Sequence, residues 1–276
     1  MMRIAVLGLL VVINIIIFTF PTPNGLSVSF FDVGQGDAIF IEGPRGAQVL
    51  IDGGSTRAVL RRLNERMPFF DRALEAVVAT HPDQDHIGGL VDVVQRYSVG
   101  VWFDSGAKND TAVYRALWRA QQGQQQNIHR VVTPVRIMLG GTAYADVLFP
   151  NQPLNNISSN ASSIIIRVVY GDTSFLFTGD APASVERVLV AMYGSTLNST
   201  VLKVGHHGSK TSSDPQFIDT VQPEAVVYSR GCDNRYGHPH PDVVERFNAR
   251  GIQTYDTCED GTVTFHSNGS AVSVKK

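Results

Sequence analysis

Cysteine is scarce: 276 residues contain two. No disulfide-dense scaffold and no four-cysteine zinc module can be built from that pair. Charge is thin at 17%, against a usual ~25%, and it is balanced, with a net charge of −2 and a pI of about 6.4. An extended basic coat for nucleic acid is therefore excluded, although a local basic site is not. After Gly25 there is no repeat, low-complexity tract, charge block or long linker. What is plentiful is apolar side chain, at 43%, which excludes wholesale disorder, and glycine, with 25 residues, which points to strands and tight turns.

Long apolar runs are missing except at the start. Residues 4–20 carry no charge and only Asn14 and Thr19 as polar interruptions. A helix of that length falls just short of the ~20 residues that span a bilayer and exceeds a signal-peptide core of ~7–15 residues. Arg3 precedes the run and the next basic residue is Arg45, so the positive-inside rule leaves the N-terminus in the cytoplasm and the rest outside. The reading is an uncleaved single-pass membrane anchor over residues 4–20 with an extracytoplasmic body. A cleaved signal peptide, hence secretion, and a buried element of the domain stay open. Residues 1–25 then form the anchor and a stiff linker, and residues 26–276 form one domain. In an oxidising compartment Cys232 and Cys258 can pair. They follow expected strands at 225–229 and 252–255, joined by one helix, and such strands are often parallel neighbours. A bond and two separate thiols both remain open.

Short β-branched runs bounded by Gly, Asp or Asn predict strands at 26–31, 38–41, 48–51, 76–79, 99–102, 145–149, 163–170, 174–178, 200–203, 225–229, 262–265 and 271–274. Apolar residues at helical spacing predict helices at 56–67, 87–97, 111–122, 184–193 and 241–250. Strands and helices mixed without strict alternation indicate an α/β layered fold.

Six of the eight histidines fall in three short clusters. His129 and His266 stand alone and read as ordinary surface or core residues. Thr80-His81-Pro82-Asp83-Gln84-Asp85-His86 begins where an apolar strand ends and offers four metal-competent side chains in six positions. Imidazole and carboxylate suit zinc, manganese or iron. His81 and Asp83 can point one way from an extended loop while Asp85 and His86 address a second point, so one loop can serve two cations. Gly179-Asp180 closes a second strand and offers a bridging carboxylate. Gly205-His206-His207-Gly208-Ser209-Lys210 closes a third, where one imidazole can ligate and the other face substrate. In Tyr236-Gly237-His238-Pro239-His240-Pro241, His240 can simply precede a helix.

This pattern resembles the metallo-β-lactamase fold, and more narrowly the metallo-β-lactamase-like domain of the ComEC competence proteins. Phe31-Asp32-Val33-Gly34-Gln35-Gly36-Asp37-Ala38, Leu50-Ile51-Asp52-Gly53-Gly54, Asn160-x-x-Ser163, Lys203-x-x-His206-His207-Gly208-Ser209 and Asn234-Arg235-Tyr236-Gly237-His238-Pro239 carry the likeness over nearly the whole body. It implies an αββα four-layer sandwich with cations in a cleft at one edge of two sheets. Many family members have His-x-His-x-Asp-His, where this chain has Asp83 for the second histidine. Many also have a further histidine where this chain has Asn160 and Ser163. One cation would then have His81, Asp83 and Asp180, and the other Asp85, His86, Asp180 and His207, with Zn2+ or Mn2+ equally suitable.

Two divalent ions lower the pKa of a shared water toward ~7 and so supply a hydroxide near neutrality. Asp83 reads as ligand or proton shuttle, and Asp52 as support for a ligand histidine. His206, Lys210, Arg235 and His238 can surround a phosphate, with Asn160 beside them. A solvated surface role for Lys210 and Arg235 stays open, and Ser163 and Ser209 either donate hydrogen bonds to the phosphate or brace the loops. Asp37 lines the cleft or caps a turn. The expectation is a phosphodiesterase acting on DNA, single-stranded in particular. ComEC proteins also carry a multi-helix channel, so a separate DNA-channel protein is an expected partner. A hydrolase of a lactone, thioester or β-lactam, and a non-catalytic nucleic-acid-binding module, are the alternatives.

Overall fold

The chain lays down β1 (Leu26–Phe30), β2 (Ile39–Glu42) and β3 (Gln48–Ile51) as antiparallel neighbours. It then crosses through α1 (Ala58–Arg66) to β4 (Ala73–Ala79), through α2 (Gln84–Ile87) and α3 (Leu90–Arg96) to β5 (Ser98–Asp104), and through α4 (Ala112–Gly123) to β6 (Ile128–Arg130). Helical crossovers return each strand in the same direction, so β3 to β6 run parallel. A meander of β7 (Val135–Gly140), β8 (Ala143–Phe149), β9 (Ile165–Tyr170) and β10 (Thr173–Phe177) opens the second sheet. Crossovers through α5 (Ala183–Tyr193), α6 (Pro215–Val221) and α7 (Pro241–Asn248) add β11 (Val201–Lys203), β12 (Ala225–Tyr228) and β13 (Gln253–Asp256), all parallel to β10. After the short α8 (Thr257–Asp260), β14 (Val263–Ser267) and β15 (Val272–Lys275) rejoin the first sheet beside β1. This computed structural model describes residues 25–154 and 157–276.

Period-two side-chain alternation sorts the apolar residues into three layers of core. Val28, Phe30, Ile39, Val49 and Ile51 of one sheet meet Val147, Ile166, Val168, Phe175 and Phe177 of the other. The intervening residues Phe40, Leu50 and Val77 turn outward onto Val59, Leu63, Leu90 and Val93 of α1 and α3. Leu176, Leu202 and Val226 turn outward onto Val185, Leu189, Phe217 and Phe247 of α5 to α7. The result is helix, sheet, sheet, helix, the αββα sandwich. Every parallel strand of both sheets ends at the same edge, where crevices for ligands form.

Several details differ from the expectations above. β6 and β7 were not foreseen: β6 has three residues, and β7 buries little but Leu139. The helix expected at 87–97 is α3, starting at Leu90; the short α2 precedes it, with Gly88 and Gly89 at the joint. A Cβ on Gly89 would lie 2.2 Å from the Gly53 carbonyl oxygen, so only glycine admits this close approach. The strand expected at 163–170 starts at Ile165, because Ser163 ends a 3-10 turn (Asn160–Ser162) and faces Asp180 instead. Cys232 and Cys258 form a disulfide just past the ends of the parallel neighbours β12 and β13. Residues 4–20, expected to enter the membrane, lie outside the described residues. Among the described residues no helix is long and apolar enough to cross one.

Candidate metal centre

Five loops leave that common edge and converge. The turn after β3 brings Asp52, the turn after β4 brings His81 to His86, and the turn after β10 brings Asp180. The turn after β11 brings His206 and His207, and the loop after β1 brings Asp37. The backbone bends hard to do this: Asp52, His206 and His207 all take left-handed φ values of 50–58°. Such conformations cost of order 1–3 kcal/mol each for residues other than glycine.

Hydrogen bonds fix which nitrogen of each buried histidine is free. His86 donates Nδ1–H to Asp52 Oδ2 at 2.7 Å. His207 donates Nδ1–H to the Ser229 carbonyl at 2.7 Å. Thr80 donates its hydroxyl to Asp52 Oδ2 at 2.7 Å and so accepts from His81 Nδ1 at 3.0 Å. Asp52, wholly buried, thus sets the tautomer of His86 directly and of His81 through one hydroxyl. With Nδ1 of each ring committed to its hydrogen bond, the three Nε2 atoms are the ones left facing the cluster. All three are buried without a hydrogen-bond partner, as is Asp180 Oδ1. Unpaired buried polar atoms are costly and rare.

These atoms face one another around Asp180. His86 Nε2 is 3.3 Å from Asp180 Oδ1, and His207 Nε2 is 3.4 Å from Asp180 Oδ2 and 3.4 Å from Asp85 Oδ2. His81 Nε2 lies 3.9 Å from Asp180 Oδ2 and 3.6 Å from Asp83 Oδ2. His81, His86 and Asp180 form one grouping that can hold a cation, and Asp85, His86 and His207 form another. The donor set is imidazole and carboxylate with every spare atom pointing inward, which fits divalent cations. Asp83 stands at the rim, its other oxygen taken by Ser159 at 2.6 Å and Asn109 at 3.2 Å.

Burial is the largest single influence and pushes the imidazoles of His86 and His207 down, but the surrounding carboxylates, Asp180 first among them, together outweigh it and hold both well above the ordinary histidine range. Asp52 adds to this at His86, and Asp37 and Asp85 at His207. Burial, reinforced by the charge on His86, holds His81 well below that range. A cation therefore has to displace protons from His86 and His207, so its binding strengthens as pH rises.

Asp37 belongs to the cleft. Burial pushes its carboxyl up, yet Lys203, His207 and His86 bring it down to about 2. Lys203 is completely buried, pairs with Asp37 at 2.5 Å, donates to the Gly179 carbonyl at 2.8 Å and lies 3.6 Å from Asp180 Oδ1. Its role was not singled out from the sequence, although one signal was there. A lysine in the apolar run Val201-Leu202-Lys203-Val204 must find a buried partner, because lysine is almost never buried unpaired.

The remaining candidates spread outward. His206 is partly exposed at the mouth, with Nε2 3.6 Å from Asp180 Oδ2, Nδ1 3.1 Å from the Thr211 hydroxyl, and Asn160 Nδ2 at 3.4 Å. The ring of His238 lies 5.6 Å from that of His206. Burial, with the charges of His206 and His207, brings His238 down to about 4. Ser209 is buried and bonds Thr211, which carries His206. Of the two roles open to Ser163, the structure favours bracing. It is fully buried, takes the Asp180 amide at 3.1 Å and sits 3.3 Å from His81 Nδ1, so it braces both of these candidate ligands. Lys210 and Arg235 are exposed, and Arg235 rests on the Tyr236 ring. His240 caps α7 through Nδ1. His129 and His266 lie on β6 and β14, apart from the cluster.

The sequence pattern described as the Metallo-beta-lactamase superfamily matches residues 31–231, most of the chain. The chain belongs to the metallo-β-lactamase superfamily. Its curated relatives within that superfamily include ComE operon protein 3 of Bacillus subtilis, 28% identical over 94% of this chain and 35% of that protein. Competence protein ComA of Neisseria gonorrhoeae is 32% identical over 88% of this chain and 32% of that one. The chain therefore spans about a third of the length of these relatives. Among solved structures, Zn2+-bound PqqB from Methylobacterium extorquens shares the fold, with a TM-score of 0.57 and 11% identity over 86% of this chain and 99% of that one. Within that superfamily the chain is similar to proteins named for competence.

Proposed function

We propose that the chain is an extracytoplasmic, metal-dependent phosphodiesterase that cleaves DNA, with single strands as its substrate. The observation that carries the reading is the convergence of three orphaned Nε2 atoms and an orphaned Asp180 oxygen in one buried cluster. Kinship with proteins named for competence supplies the substrate class. The disulfide supports an oxidising compartment, with residues 4–20 as the membrane attachment and a separate channel protein as a partner.

His81, Asp83, Asp85, His86, Asp180 and His207 would hold two divalent ions, Zn2+ or Mn2+. Such ions, when bound, acidify water and neutralise phosphoryl oxygens. The chain's own residues do the rest. Asp52 holds His81 and His86 in the ligating tautomer. Lys203 balances Asp37 and Asp180 in a site crowded with carboxylates. His206 stands partly exposed at the mouth of the cleft, Nδ1 against the Thr211 hydroxyl and Nε2 beside Asn160 Nδ2 and Asp180, placed to exchange a proton with the leaving oxygen. Asn160 steadies that ring. His238 stands beside His206, and Lys210 and Arg235 add positive charge outside.

The test is turnover by the full chain, purified in detergent, of single-stranded DNA, bis-p-nitrophenyl phosphate and nitrocefin, with Mn2+ or Zn2+. Diester cleavage that disappears in Asp180→Asn and His86→Ala supports the reading. Turnover of nitrocefin or a lactone without diester cleavage overturns it, and tight DNA binding without turnover under either metal replaces it with a binding module.

A further inference from the structure

A second feature opens on the same edge. A cleft of about 500 Å³ extends from His81 and Pro82 of the ligand loop to α4 and the ends of β5 and β6. The residues after β5 and β6 leave the sheet at its carboxyl edge, so the cleft is continuous with the cation cluster's surroundings. Its wall on α4 is aromatic. Tyr114 and Trp118 are four residues apart and share a face, and Trp118 is 54% exposed and touches no ring among the described residues.

Gln121, on the next turn of the same helix, is only 7% exposed, yet its side-chain amide lines the cleft and has no hydrogen-bond partner among the described residues. The amide opens into the cleft, so its donor and acceptor are offered to whatever enters. Asp104 adds an acceptor on the facing wall, one of its oxygens taking the Gly106 amide. Lys108 and Arg130 stand exposed at the mouth, and Arg130 keeps only a 3.9 Å approach to Asp104.

An exposed aromatic platform, an unpaired amide beneath it and two cations at the lip are complementary to one flat heterocycle with donor and acceptor edges, carried on a phosphate. We infer that this cleft receives an unpaired nucleobase next to the diester at the cation cluster. Trp118 and Tyr114 would stack on its face, Gln121 would pair with its edge, and Lys108 and Arg130 would take the adjoining phosphate. The inference rests on the phosphodiesterase reading for which bond is cut, but not for whether the base binds. A paired base has its Watson–Crick edge occupied and its faces stacked, so the cleft selects single strands.

Binding can be read without any cation. In EDTA, a single-stranded mixed-sequence 12-mer should quench tryptophan fluorescence of the full chain. Trp102, the other tryptophan, is fully buried and should not respond. The quenching affinity should weaken on the order of tenfold in Gln121→Ala, quenching should be absent with the same 12-mer as duplex, and Trp118→Ala, which removes the reporter, should lose retention of the labelled 12-mer on a filter. With Mn2+, Gln121→Ala should raise KM for the 12-mer by a similar factor, with the loss confined to substrate that carries a base and absent for bis-p-nitrophenyl phosphate. Equal quenching by wild type and Gln121→Ala, or a loss of both substrates in parallel, overturns the subsite. If wild type cleaves neither diester, the phosphodiesterase reading fails, and the EDTA titration still decides the cleft.

Discussion

His81, His86 and His207 differ from His206 and His238 in what stands on either side of the ring. In the first group Nδ1 is tied to a hydroxyl or carbonyl fixed by the fold, or to Asp52, and Nε2 is buried and unpaired. In the second, the rings are partly exposed and the partners are a threonine hydroxyl, an asparagine amide and another imidazole. The same side chain therefore serves two purposes within one cleft. Where a rigid acceptor holds one nitrogen, the other is left free to ligate. Where the ring is held loosely at an opening, it can carry a proton to something that arrives.

The comparison can be tested at four points, the largest expected effect first. Asp180→Asn should remove bound metal and lower turnover by roughly 10³-fold or more, as measured by metal content and diester kinetics. His206→Ala should lower kcat by roughly 10²-fold or more while metal content stays at the wild-type value; loss of metal would move His206 into the ligand group and break the division. Third comes the scaffold under the rim. Thr211, which holds His206, precedes the turn whose Ser213 and Asp214 amides bond Glu186. Burial pushes the Glu186 carboxyl up from 4.5 to about 7. The native state thus binds this proton more tightly than the unfolded chain does. Its contribution is fully present below pH 4.5 and is lost as pH rises through 7. Urea unfolding in EDTA should show wild type losing about 3 kcal/mol relative to Glu186→Gln between pH 4.5 and 7. Smallest, Asp52→Asn should weaken metal affinity by about 10–100-fold without unfolding the chain, by competition against a chromogenic chelator. An unchanged affinity would show that the tautomer lock is dispensable.

The candidate ligand histidines were legible because chemistry crowded them together: four competent side chains in six positions do not arise from packing needs. Asp180 was legible only in company, since Gly-Asp ends many strands. The helices on either face announced themselves by spacing, but α6 did not, although Asp214 at its cap and Pro215 after it are ordinary start signals. β6 and β7 were missed because edge strands need not alternate when much of both faces is wet. The support of His207 by the Ser229 carbonyl could not be read at all, since every residue has a carbonyl and only the fold says where it points. Lys203 with Asp37 lies between these cases: the lysine betrayed a buried partner, and 166 positions of chain separate it from that partner.

His81 and His86 hang from the first sheet, while Asp180 and His207 hang from the second. Ions gripped by both sets would rivet the two slabs together, so part of the affinity for metal is cohesion of the sandwich itself. Stripping the metal should therefore loosen the seam before it melts either slab, and amide exchange along β3 and β10 would register the parting.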